Sequence, residues 1–323
     1  MRPSVLKHLA WPMLLVGQLG YGASALAEST DPNDWLNRMA AAVQQTSYEG
    51  TVLRIRNGDA EALKVVHTIS DGIVHEKVVS QEGDGLEIIR KGNEVHCILP
   101  DSRSVLVDEW DDRSTLFSTL PTSEVKFGSE YDVAVVREER IAGRQAILLA
   151  IRPHDDYRYG HRIWLDTETA FPLQTQMLGT DGKPIEQVKF AEIRLSRDID
   201  PDMLAPSVDI SAFRWVDQQP RHVGHAIETP WRAADLPRGF RPVATHGETM
   251  PGTSDVTTHI VYSDGLANVS VFIAPAGDST EEGALQLSGA RGYSTVIEGH
   301  RVTAVGEVPA VTLEQIATTM MPR

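Results

Sequence analysis

Tyr48-Glu49-Gly50-Thr51-Val52-Leu53-Arg54-Ile55-Arg56, closed by Asn57-Gly58, is where the chain changes period. Thr51, Leu53 and Ile55 alternate with Arg54 and Arg56, and the Asn-Gly pair ends the run. Alternation predicts a strand, and Asn-Gly predicts a tight reversal into a partner strand. Upstream the period is different. Trp35, Met39 and Val43 stand four apart, with Leu36 and Ala40 beside them, so one amphipathic helix precedes the sheet, with Asn33 and Asp34 as candidate caps.

Downstream, short alternating runs follow at Ala62 to Ile69, Ile73 to Val79, Leu86 to Arg90, Glu94 to Leu99 and Ser104 to Val107, parted by Asp71-Gly72 and Gly92-Asn93. That spacing predicts an antiparallel meander. Leu116, Phe117 and Leu120, within Trp110 to Val125, fit a helix set against the sheet. Strands resume at Val133 to Val136, Gln145 to Ile151, Arg162 to Asp166, Pro172 to Leu178 and Ile185 to Leu195. The pattern fades after Asp200-Pro201, and 211–230 reads as a linker. Beyond it, His259 to Ser263, Asn268 to Ile273 and strands around Gly299-His300 predict a second, smaller α+β domain. Its last helix is signalled by Thr312-Leu313-Glu314-Gln315, which has capping-box spacing.

The first 27 residues carry Arg2 and Lys7, an apolar run from Leu9 to Leu19 and the small-residue close Ala25-Leu26-Ala27, the pattern of a signal peptide. Later apolar runs fall short of the roughly 20 residues that span a bilayer. A soluble, exported chain of two domains is expected: 28–210, then 231–323 after the linker. Removing Arg2 and Lys7 moves the net charge from −15 to −17. So acidic a surface is a poor match for nucleic acid. Cys97, the one cysteine, has no internal partner, and its neighbours Val95, Ile98 and Leu99 suggest that it is buried in a strand.

The sequence carries no local catalytic or metal signature. The 11 His include no H-E-x-x-H pair, and there is no G-x-S-x-G elbow, phosphate loop or dinucleotide fingerprint. The densest polar group, His154 to His161, holds ligand types but is expected as a solvated loop between two strands. A non-catalytic protein without cofactor or metal is the expectation. A binding role has firmer support, because a long, highly curved antiparallel sheet backed by a helix can enclose an apolar cleft. Leu53, Ile55, Val65, Ile88, Val95, Ile98, Leu148 and Trp164 alternate as inward-facing residues do, although ordinary core is the plainer reading of each.

Several stretches resemble the RseB/MucB family, periplasmic negative regulators of the sigma-E (AlgU-type) envelope-stress response. They are Ser47-Tyr48-Glu49-Gly50-Thr51, the run from Tyr157 to Leu165, Leu173 to Leu178, Leu236-Pro237-Arg238-Gly239-Phe240, Val261-Tyr262-Ser263-Asp264-Gly265-Leu266 and Val305-Gly306-Glu307-Val308-Pro309. The resemblance implies an α+β protein: a large LolA/LolB-like antiparallel half-barrel with covering helices and lipid-sensing role, plus the smaller C-terminal domain. It implies a periplasmic partner, the exposed segment of a membrane anti-sigma factor of the RseA/MucA kind, gripped mainly by the small domain and shielded from proteolysis. Lipopolysaccharide or lipoprotein acyl chains would occupy the large-domain cleft and loosen that grip, and a homodimer is a further expectation. Arg232, Arg238 and Arg241 are candidate partner contacts, with solvated charge as the plainer reading. Two rivals stand beside this reading, a periplasmic lipid or lipoprotein carrier of the LolA type and an envelope hydrolase.

Overall fold

The computed structural model describes residues 31–56, 58–109, 116, 128–196, 198–217, 225–249, 256–277, 282–287 and 290–322. The expected signal peptide lies outside them, as does all of the expected helix Trp110 to Val125 except Leu116.

The chain opens with α1 (Pro32–Gln45). Asp31 caps it, accepting from Asn33 N–H at 2.9 Å one residue ahead of Pro32, so the helix starts earlier than Asn33 or Asp34 would place it. Next come β1 (Tyr48–Arg56), β2 (Asp59–Ser70), β3 (Ile73–Ser80), β4 (Glu87–Lys91), β5 (Glu94–Leu99) and β6 (Ser104–Glu109). After residues 110–127 follow β7 (Tyr131–Ile141), β8 (Arg144–Pro153), β9 (Gly160–Asp166), β10 (Pro172–Leu178) and β11 (Pro184–Leu195). A short 3-10 turn (Pro201–Leu204) leads to β12 (Arg214–Asp217).

These twelve strands make one sheet in the order β12-β6-β5-β4-β3-β2-β1-β11-β10-β9-β8-β7. All its pairings are antiparallel except β12 on β6, which is parallel and sets Arg214 against Ser104. The stretch expected as a linker therefore begins by sealing an edge of the large sheet. To reach that edge the chain crosses the sheet: Lys77 Nζ bonds the Ala205 carbonyl at 2.5 Å and Ser207 Oγ at 2.7 Å, and Glu87 accepts from Ser207 N–H at 2.9 Å. Trp215 then meets His96 edge-on at 5.2 Å.

Side chains directly opposed across two strands share a face. One face of the large sheet carries Tyr48, Val52, Leu63, Val65, Val78, Phe190, Leu173, Ile163, Leu149 and Ile151, and α1 covers it with Trp35, Leu36, Met39 and Val43. Those four helix residues are at most 3 % exposed, and each contributes roughly 1.5–3 kcal/mol of burial. Cys97, on the same face, is half-buried rather than enclosed, and burial, then Asp108, push its thiol up.

The second unit has β13 (His225–Ala226), β14 (Trp231–Ala233), β15 (Arg241–Thr249), β16 (Val256–Ser263), β17 (Asn268–Pro275), β18 (Gly283–Leu287), β19 (Ala290–Ile297), β20 (His300–Gly306), α2 (Ala310–Thr318) and β21 (Met320–Pro322). Seven strands form a sheet in the order β13-β15-β16-β17-β20-β19-β18, and β14 pairs with β21. Leu313, Ile316 and Ala317 of α2 pack with Ile260, Val269, Val271 and Val302 in a second apolar cluster. The expected capping box is corrected here: α2 begins at Ala310 without a side-chain cap, and the Thr312 hydroxyl bonds the Tyr157 carbonyl of the large unit at 2.6 Å. The described residues are thus mostly β-strand, with one covering helix on each sheet, a leaner helical complement than the α+β expectation.

Candidate functional site

The cleft candidates divide. Across paired strands, Gly50 faces Val65, Val65 faces Val78, Val78 faces Ile88 and Arg90 faces Val95, which places Val65, Ile88 and Val95 on the α1-covered face. Leu53 faces Lys189, Lys189 faces Gln174, Gln174 faces Trp164 and Trp164 faces Leu148. Leu53, Ile55, Leu148 and Trp164 therefore lie on the opposite face, as does Ile98, and no single cleft collects the whole set. Val65 and Val95 are fully buried, Ile88 is half-buried, and Leu53 is exposed. Trp164 is held from its own face by a 2.6 Å hydrogen bond from Nε1 to Glu139.

Within the α1-covered face runs a polar row that sequence reading missed. Tyr48, His67, Glu76 and Arg90 oppose one another in turn across β1 to β4. Tyr48 stacks on His67 with ring centroids 5.0 Å apart, and His67 Nδ1 lies 2.8 Å from Glu76 Oε2, both side chains 1 % exposed. Among the described residues no hydroxyl or thiol nucleophile bonds the imidazole. A row so enclosed fixes the register of the strands under α1.

A second polar cluster joins the two units. Arg158, in the loop expected to be solvated, is buried: Nη1 donates to Asp264 Oδ2 at 2.7 Å, Nη2 to the Arg238 carbonyl at 2.5 Å, and Nε to Asp155 at 3.0 Å. Tyr131 donates its hydroxyl to the same Asp264 Oδ2 at 2.7 Å. The guanidinium carbon lies 5.4 Å from the Tyr131 ring and 5.3 Å from the Phe240 ring, within cation–π range. Burial, then Asp264, push the Tyr131 hydroxyl far up, so it stays a donor. Burial works against the charge on Arg158, yet Asp155 and Asp264 more than restore it.

Local turns prepare these partners. Phe240 N–H bonds the Pro237 carbonyl at 3.1 Å with Gly239 at φ 86°, a left-handed backbone that suits glycine and presents the Arg238 carbonyl to Arg158. Asp264 Oδ1 accepts from Leu266 and Ala267 N–H at 2.9 and 2.8 Å, leaving Oδ2 for the large unit. Three stretches that carry the family resemblance, around Arg158, Arg238 and Asp264, meet here. Elsewhere along the contact, Arg56 bridges Glu307 at 2.6 Å and Glu186 at 3.0 Å.

Of the candidate partner residues, Arg238 sits at this junction, 3.3 Å from Glu130 with its side chain 80 % exposed. Arg232 on β14 and Arg241 at the start of β15 are exposed. A hollow of about 480 Å³ opens beside the Arg158 loop, lined by Arg152, His154, Asp155, His161 and Arg162 among others. Burial pushes the His161 imidazole down to about 4, with Asp264 pulling the other way. Among the described residues no three His, Cys, Asp or Glu side chains converge as a metal would require.

Residues 31–208 match the MucB/RseB N-terminal domain and residues 225–321 the MucB/RseB C-terminal domain. The chain is 31 % identical over 316 residues to the sigma factor AlgU regulatory protein MucB of Pseudomonas aeruginosa, covering 96 % of each. It is 26 % identical to the sigma-E factor regulatory protein RseB of Salmonella typhimurium, covering 98 % of each. Among solved structures, the Pseudomonas aeruginosa MucA/MucB complex matches with a TM-score of 0.68 at 28 % identity, over 91 % of this chain and 99 % of that one.

Proposed function

The chain belongs to the MucB/RseB family, and from that premise we propose that it is a periplasmic regulator that binds the periplasmic segment of a membrane-bound anti-sigma factor of the MucA/RseA kind. In this reading it shields that segment from regulated proteolysis, and lipopolysaccharide or lipoprotein acyl chains release it. The observation that carries the reading is likeness in both domains to a protein solved together with MucA. The large unit senses the acyl chain on its α1-covered face. The small unit grips the partner, with Arg232 and Arg241 as exposed contacts. A ligand that favours the free protein over the complex must lower partner affinity by the same factor by which the partner lowers its own.

Calorimetric titration of the mature protein with the anti-sigma periplasmic segment tests this. Binding that weakens when lipopolysaccharide is added is expected, as is weaker binding by the Arg232→Glu, Arg241→Glu double variant. No binding by the intact protein, with acyl-chain binding retained, would return the role to that of a lipid carrier.

A further inference from the structure

We propose that the Arg158–Asp264–Tyr131 contact is a latch that holds the two units in the partner-binding arrangement, so that its closure sets affinity for the anti-sigma segment. The proposal deepens the function proposed above and rests on it for the identity of the partner.

The two apolar clusters are separate, one under α1 and one under α2, with Leu266 reaching from the small unit onto the edge of the first. What joins the units is largely polar: the Arg158–Asp264 pair, the Tyr131 hydroxyl, Thr312 to the Tyr157 carbonyl, Arg238 to Ser129 and Glu130, and Arg56 to Glu307. Apolar surfaces tolerate sliding, whereas hydrogen bonds lose their strength within a few tenths of an ångström and a few tens of degrees. A polar junction therefore specifies one arrangement.

The latch differs from the other contacts in burial. The Arg158 and Asp264 side chains are 0 % and 1 % exposed, while Arg56 and Glu307 are 33 % and 34 % exposed. A half-broken buried pair strands a charge in the protein, which is strongly unfavourable, so the stable conditions are fully paired or fully opened to water. That all-or-none character is what a switch needs.

Both ends are also tied into their own units. Asp264 spends one oxygen on the Ser263–Ala267 turn and the other on the large unit, and Arg158 spends Nε on Asp155 and its two terminal nitrogens on the small unit. The Arg158 loop connects β8 and β9, whose Leu149, Ile151 and Ile163 belong to the apolar face under α1. A ligand that alters the packing of that face displaces the strands that position Arg158.

The test uses full-length mature protein, wild type and three variants: Asp264→Asn, Arg158→Met and Tyr131→Phe. Each is titrated with the anti-sigma periplasmic segment, and its domain arrangement is followed by small-angle X-ray scattering. Asp264→Asn presents an amide donor to two donors, and Arg158→Met breaks the same link from the other side while leaving the Asp264 turn intact. Both are expected to enlarge the scattering envelope and weaken partner binding between about 5-fold and 150-fold, the usual range of coupling between sites, with Tyr131→Phe in between. Unchanged scattering and affinity in both variants would overturn the latch. So would an effect confined to Asp264→Asn, which would assign it to the turn. If wild type itself fails to bind, the functional reading fails, and the scattering of Arg158→Met still decides whether the pair holds the units together.

Discussion

Gly50 lies directly against Glu192: a Cβ built on the glycine would stand 2.4 Å from the Glu192 carbonyl oxygen. The contact falls beside the register shift at Thr51 and Val52, where β11 has one more residue than β1. The neighbour is backbone, so it cannot swing aside as a side chain would. Gly50→Ala is expected to destabilise the large unit by more than about 1–3 kcal/mol, the usual cost of overpacking. Lower urea midpoints, with faster amide exchange along β1 and β11, are the readout. Wild-type midpoints would mean that the bulge absorbs the methyl group.

His161 makes stability depend on pH between about 4 and 6.5. Its folded value is about 4 against an ordinary 6.5, because burial disfavours the charged ring. Below pH 6.5 the unfolded chain takes up a proton that the folded chain refuses, so this contribution is complete above 6.5 and is lost as pH falls toward 4. The slope reaches at most about 1.4 kcal/mol per pH unit. Urea unfolding at pH 7, 6 and 5 should show a shallower decline for His161→Gln than for wild type. Equal slopes would rule the imidazole out as the source.

The division of the cleft candidates between two faces separates their expected effects. Ile88→Asp places a carboxylate on the α1-covered face and is expected to abolish release of the anti-sigma segment by lipopolysaccharide while leaving binding of that segment intact. Leu53→Asp, exposed on the opposite face, is expected to change neither, and to move stability by no more than about 0.5 kcal/mol. The reverse pattern would move the acyl chain to the other side of the sheet.

Two strands were legible residue by residue: Glu94–Leu99 and Pro172–Leu178 have the bounds that the sequence predicts. Arg241–Thr249 was missed because Pro242 opens it, the register shifts between Pro242 and Ala244, and Val243 is left 52 % exposed. Arg214–Asp217 is too short to display a period, and its partner lies far back in the chain. Alternation around Val65 or Leu148 says that neighbours point opposite ways, but which face each joins depends on register across several strands. Arg158 and Asp264 stand 106 positions apart, so nothing local could show that a loop rich in charge would be buried against a turn in the second domain.

The parallel strand β12 has a consequence for how the chain folds. Ser104 waits for Arg214, so the outer edge of β6 stays open until a segment more than a hundred residues further along the chain reaches it. An open edge with Val105 and Val107 on one side invites pairing with another chain. Closing it requires the 198–213 segment to find its path over Lys77 and Glu87, a long loop closure that comes late. The final four-residue strand thus protects the folding protein against self-association as much as it completes the sheet.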